Sequence, residues 1–386
     1  MTSPTAFESM TATPSAFEDP SSTKEETSMK PTLKAYLGYS TALAAMMAAA
    51  PAAAQETIDV TIVSGFSPAV AAVRVLQEEF MPAVDARLAE TGTYAIDWQE
   101  AFSGTLAPPA GELEAIQVGL ADIGVIPTAF HADRLPIYQI GYVTPFTTDD
   151  LVLIHEVVDG LVEEYPAFRE TWQDLNQVSL SVSGIPDNYI LCSSTPVSSL
   201  DDIDGLKVAG AGPNLRWIEP AGATGVTGTL GNFYQLVETG VVDAMLVWGE
   251  AVVSLRFYEV CDYYFDAQLG GVNSYVINVN RDTWESWPEE VQEAMTLSAQ
   301  DYGIALGEFA AELGAQARDT FIENGGTVTV IDPAERDEWA ATLPNIAQEW
   351  VASLEAQGVP AQAILTDYMD AMRAAGQTVA RDWDAQ

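Results

Sequence analysis

Residues 204–217, DGLKVAGAGPNLRW, place a short apolar run, a glycine turn and a proline in the order strand, loop, helix start. The first N–H groups of a helix have no intrahelical partner, and glycine lets a ligand approach the main chain closely, so this arrangement suits an anion. Pro213 fits a first helical turn, where its missing N–H is not needed. Arg216, one turn further in, is placed for a bidentate contact to a carboxylate. Its alternative is an ordinary surface ion pair.

Nucleotide chemistry does not fit the loop. A dinucleotide fingerprint needs a third glycine where Leu215 stands, and nothing supplies the Gly-Lys-Ser/Thr ending of a phosphate-binding P-loop. Metal chemistry fares no better. The two histidines, His131 and His155, have no ligand spacing between them. A calcium loop centred on Gly205 would start at Leu200 and end at Ala211, neither of which is a ligand. No Gly-x-Ser-x-Gly elbow appears. The residues argue for binding without catalysis, metal or cofactor.

The elements that must position such a site alternate. ETIDVTIVSGF reads as a strand, and apolar residues recur at helical steps from Pro68 to Glu90. TYAIDWQEAF, VSLSVSG, NYILCSS, AMLVW, SYVINVN and TVTVI read as further strands. Helices are predicted over 150–175, from Pro213, around Asn232–Glu238, over 288–324, and over 333–357 and 360–383. This alternation predicts an α/β protein with mostly parallel sheets.

Charge and the N-terminus bound the setting. Residues 1–28, rich in Ser, Thr, Glu and Pro, read as a disordered or over-called extension. From Met29 to Ala54 the chain has a basic start (Lys30, Lys34), an alanine-rich apolar stretch and Ala52-Ala53-Ala54 before Gln55, the pattern of a cleaved signal peptide. Export to the periplasm, without membrane insertion after processing, is the expectation. The mature chain then holds 12 basic and 51 acidic residues, a net charge of -39, with Lys207 as its only lysine. Such a surface repels nucleic acid and anionic lipid. A hydrophobic content of 48% nevertheless marks a folded protein. Cys192 and Cys261 are candidates for a disulfide in an oxidising compartment, or for two buried thiols.

PVSSLDDIDGLKV, LGNFYQLVETGVVDAM, FYEVCDYYF and INVNRDTWESWPEEVQEAM follow one another in the order of the DctP-type solute-binding proteins of TRAP (tripartite ATP-independent periplasmic) transporters, which this chain resembles. SGTLAPPAGELEAIQVGLADIG and TPF add to the likeness. The resemblance implies a two-domain, type II-like periplasmic-binding-protein fold with a long domain-spanning helix, here 288–324. Domain I is expected over 55–186 and 272–315, and domain II over 187–271 and 316–386, including the C-terminal helices. It further implies capture of a small organic acid in an inter-domain cleft and delivery to small and large membrane subunits (DctQ-like and DctM-like). A sensory role, or a less anionic and more apolar solute, is the alternative.

The chain departs from the family where the family holds its ligand. Ala209 replaces a family arginine, Asn188, Tyr189 and Ile190 stand where a second arginine is common, and Val247 and Trp248 replace polar contacts. Asn232 replaces a glutamate. The candidate contacts are therefore Ala209, Gly210, Gly212, Asn214, Arg216 and Trp217 of the loop, with Trp248, Asn273 and Phe146. For Trp248 the alternative is a core tryptophan.

Overall fold

The computed structural model describes residues 55–385, so the extension 1–28 and the signal peptide 29–54 lie outside the described residues. The strands sort into two sheets. One holds β1 (Glu56–Val63), β2 (Tyr94–Ala101), β3 (Ile123–Pro127), β4 (Gln177–Gly184) and β10 (Asn273–Asn280), in the order β2-β1-β3-β10-β4. The other holds β5 (Tyr189–Ser193), β6 (Lys207–Gly210), β7 (Thr224–Thr227), β8 (Ala244–Trp248), β9 (Tyr263–Asp266) and β11 (Thr327–Val330), in the order β11-β9-β5-β8-β6-β7. We call the two halves the first and second lobe. The inner strands IGVIP, YILCS, AMLVW and NSYVINVN are buried along their whole length, as expected of strands covered on both faces.

Both sheets are mixed, which corrects the expectation of mostly parallel ones. β10 is antiparallel to β3 and β4, and β5 is antiparallel to β8 and β9. The cause is topological. Each of these strands enters its sheet by crossing from the other lobe, so it arrives from the opposite end to strands returned by a helix. The two crossings pair with each other: Ile185 N donates to Val272 O (3.0 Å) and Val272 N to Pro186 O (3.2 Å).

Prolines divide what periodicity joined. The 150–175 helix is two, Leu151–Glu164 and Pro166–Gln173, because the ring of Pro166 drives Tyr165 into extended backbone (φ -106°, ψ 106°). The two tail helices are three, Pro333–Thr342, Ile346–Glu355 and Ala361–Ala374, with Pro344 and Pro360 at the breaks. The helix opened by Pro213 is only a six-residue 3-10 turn, Gly212–Trp217. A second 3-10 turn containing Pro220 follows it and ends at Gly222, whose φ is +86°.

The 35-residue helix Glu289–Glu323 reaches across both lobes, about 52 Å at 1.5 Å per residue. Small residues on one face let it lie close. A Cβ at Gly303 would meet the His155 ring at 2.3 Å, and one at Gly314 would meet Asp187 Oδ2 at 1.8 Å. Tyr302 in the same helix donates to Ala72 O of the first lobe (2.9 Å), while Arg318 pairs with Asp266 of the second.

The tail beyond residue 316, expected with domain II, contacts both lobes. β11 belongs to the second lobe, but the segment beyond it also grips the first. The indole N–H of Trp350 donates to Pro136 O (2.7 Å) and that of Trp383 to Pro145 O (2.8 Å). Trp339 donates to Trp217 O in the second lobe (2.8 Å). Cys192 and Cys261 are joined by a disulfide, their Cα atoms 5.6 Å apart, tying β5 to the loop before β9.

Asp187 lies in the first crossing, buried against the long helix, with Oδ1 unpartnered. Asp149, Asp266 and Arg318 line the same small hollow. Burial first, and then the charge of Glu250, pushes its carboxyl up to about 7. Between the ordinary aspartate value near 4 and about 7, the folded state therefore holds a proton that the unfolded state has lost. Stability from this group is full below that window, falls as pH rises through it, and is level above. Asp187→Asn is expected to flatten this slope and raise the melting temperature at pH 8 by a few degrees. Thermal melts of both proteins from pH 4 to 8 check it.

Candidate functional site

The two lobes meet over a pocket walled by aromatic rings. From the first lobe come Phe66 after β1, Phe130 after β3, Tyr142, and Ser274 and Tyr275 of β10. From the second come Tyr189, Asn214, Phe233 and Trp248. Antiparallel register sets Tyr189 of β5 opposite Trp248 of β8, and their rings meet edge to face at 5.8 Å. Tyr189 also meets Trp217 edge to face at 5.1 Å. Across the lobes, Trp217 stacks on Tyr142 (6.0 Å, 25°) and its indole N–H donates to Tyr142 O at 2.9 Å. The rings leave about 20 Å³ between them, so a solute enters only as they move apart.

Polar groups converge on this space. Tyr142 and Ser274 share a hydrogen bond at 2.7 Å, and the Tyr142 and Tyr189 hydroxyls are 3.4 Å apart across the lobes. Burial is the main cause holding both tyrosine hydroxyls above their ordinary range, so they stay protonated as donors. Asn214 is fully buried. Its Oδ1 accepts from Ala211 N (3.0 Å) and fixes the loop, while its Nδ2 has no partner. An unpaired buried amide donor is costly unless something fills it. Among the described residues, no group of three His, Cys, Asp or Glu is placed to hold a metal.

The expected contacts divide. Asn214 and Trp248 line the inner pocket. Trp217 stands behind it, joining the lobes. Gly210 serves the loop itself, since a Cβ there would meet Leu215 at 2.5 Å and Asn214 Oδ1 at 2.6 Å. Ala209 is buried in β6 between Val226 and Met245 and does not reach the pocket. The Asn232 side chain caps its own helix, accepting from Thr229 N at 3.1 Å.

Four expectations need correction. Arg216 does not line the aromatic pocket and pairs with Glu349 at 2.6 Å, both partly exposed. It lines, with Gly212, an outer apolar groove of about 640 Å³ that shares Phe130 and Tyr142 with the inner pocket. The six-residue 3-10 turn also offers no α-helix N-terminus to an anion. Asn273 is consumed by the main chain, accepting from Gly141 N (3.1 Å) and donating to Tyr138 O (2.8 Å). It positions the short helix Ile140–Val143 that carries Tyr142. Phe146 is wholly buried, with φ +61°, against Trp339 and under the Arg336 guanidinium. Sequence reasoning missed Tyr142, Ser274 and Tyr275, and read Tyr189 only as a missing arginine. The signal was an aromatic or hydroxyl residue at the crossing end of each antiparallel strand.

The family model for bacterial extracellular solute-binding proteins, family 7 (DctP), matches residues 91–354. This chain belongs to that family. A solute-binding protein of Chromohalobacter salexigens is 25% identical over 266 residues, covering 68% of this chain and 73% of that one. Two solved structures share the fold. A marine metagenome TRAP solute-binding protein in complex with pyroglutamate is 22% identical, with a TM-score of 0.68 over 82% of this chain and 99% of that one. A TRAP solute-binding protein from Rhodoferax ferrireducens in complex with benzoate is 16% identical, with a TM-score of 0.74 over 83% and 98%. As a family 7 solute-binding protein, the chain has its two sheets and spanning helix in the arrangement of these structures. Among the described residues no helix is long and apolar enough to cross a membrane.

Arg216→Ala removes one partly exposed ion pair. It is expected to cost less than about 1 kcal/mol of stability and to leave solute affinity within about twofold. Chemical denaturation and solute titration check it.

Proposed function

We propose that this solute-binding protein closes its two lobes over a small ring-bearing or compact organic acid and presents it to a TRAP membrane complex with DctQ-like and DctM-like subunits. The observation that carries this reading is the inner pocket itself. An unpartnered buried amide N–H of Asn214 and the hydroxyls of Tyr142, Tyr189 and Ser274 converge from both lobes inside a shell of aromatic rings. Such a pocket offers donors to a carboxylate and apolar faces to the body of the solute. The relatives bound to pyroglutamate and benzoate carry solutes of that size and shape. Membership of the extracellular solute-binding family supports a binding role. Export by cleavage after Ala54 belongs to the same reading, and N-terminal sequencing of the exported protein should begin at Gln55.

A thermal-shift screen of small organic acids against the chain beginning at Gln55 is the test, since a ligand that binds only the folded form raises the melting temperature. At least one acid is expected to do so. Asn214→Ala should then weaken it by roughly five- to a hundredfold, the worth of about 1–3 kcal/mol for an unpaired buried partner. Wild-type affinity in Asn214→Ala would remove the amide from the site.

A further inference from the structure

Among the residues lining the inner pocket there is no Lys, Arg or His. Two buried glutamates stand directly behind its walls instead, one in each lobe. Glu112 accepts from Gly65 N (2.7 Å), next to the wall residue Phe66, and its second oxygen has no partner. Glu250 accepts from the indole N–H of the wall residue Trp248 at 2.9 Å. Both are close enough to Tyr275 to act on it: after burial and Tyr142, their charges help hold its hydroxyl far above the ordinary range. Arg74, whose charge reaches Glu250, lies over the Phe309 ring at 5.7 Å and does not line the pocket.

A simple carboxylate in this pocket meets neutral donors but no positive charge. It also lies between two buried acids inside a coat of net charge -39. Burying an anion without compensation is costly. A positive centre on the same molecule removes the imbalance, because ring faces attract cations and a desolvated shell strengthens that attraction. Donation of the indole N–H to a carboxylate makes the Trp248 face richer in electrons and better suited to that role.

Building on the solute-binding reading above, the geometry points to a zwitterionic solute: a small carboxylate that also bears a quaternary or delocalised cation. The carboxylate meets the Asn214 amide and the tyrosine and serine hydroxyls. The cation lies against the Tyr189, Trp248 and Tyr275 rings, in the field of Glu112 and Glu250. Burial is the main cause pushing both carboxyls up, Glu112 to about 7, and for Glu250 it outweighs the opposing pull of Arg74. A cation bound against the rings adds to that pull.

Isothermal titration with matched probes tests this, because each pair differs only in nitrogen cation against carbon. Trimethylammonioacetate is compared with 3,3-dimethylbutanoate, and N-methylpyridinium-3-carboxylate with 3-methylbenzoate. In at least one pair the zwitterion is expected to bind about tenfold tighter or more than its carbon counterpart, in line with a desolvated cation–π contact. Glu250→Gln, which keeps an acceptor for the Trp248 N–H, should shrink that ratio by weakening the zwitterion and not the carbon probe. Equal or tighter binding of both carbon probes overturns the proposal, as does an unchanged ratio in both Glu250→Gln and Glu112→Gln. If simple acids from the thermal-shift screen bind and neither zwitterion does, this inference fails and the solute-binding reading stands. If no acid and no probe binds, both fail.

Discussion

The arrangement of the site depends on one contact across the lobes, the stacking of Trp217 on Tyr142 with the indole N–H bonded to the Tyr142 carbonyl. Tyr142 is held from below by Asn273 and Ser274 of the crossing strand β10. Trp217 is held from outside by Trp339. Tyr189 then fills the angle between them and carries Trp248 beside it. Each ring is fixed by a different part of the chain, so the pocket exists only when both sheets, both crossings and the tail are in place. Indole and phenol groups suit this task because each combines a large apolar face with one directional hydrogen bond.

That junction sets the electrostatics. Where the resemblance led us to expect arginines, buried Ala209 and Tyr189 stand, and arginines of the described residues are engaged elsewhere. Arg216 pairs with Glu349, Arg318 with Asp266, and Arg336 bonds the carbonyls of Gln268 and Phe146. The buried polar groups facing the pocket are therefore neutral donors, and the nearest charges behind them are acidic. The pocket wall presents aromatic faces and neutral hydrogen-bonding groups, which salt screens far less than exposed charges.

The same crossings that build the pocket are what join the two lobes. Two strand crossings and one helix join the lobes, and Asp187 packs between them against Gly249 and Gly314. The small residues there allow close backbone approach, and the buried carboxyl links the junction's stability to pH. The tail helices bond to both lobes through tryptophan N–H groups.

Much of this was present in the sequence. Short apolar runs placed the strands and longer stretches between them the helices, because local patterns record what is buried. The order of motifs gave the family. Trp248 and Asn214, which the sequence singled out at a strand end and in a glycine loop, both line the inner pocket. Only the tertiary structure decided the rest. Strand direction depends on which lobe a strand has crossed from, which no local pattern encodes. Whether Arg216 faces the cleft or Glu349 depends on a helix 133 residues away in sequence. Asn273 and Phe146 looked like contacts because their types and positions suit ligands, yet their partners are main-chain groups and rings brought in by the fold. The pocket's wall of tyrosines came from β5, β10 and the short helix before β4, three segments whose proximity exists only once the two crossings pair.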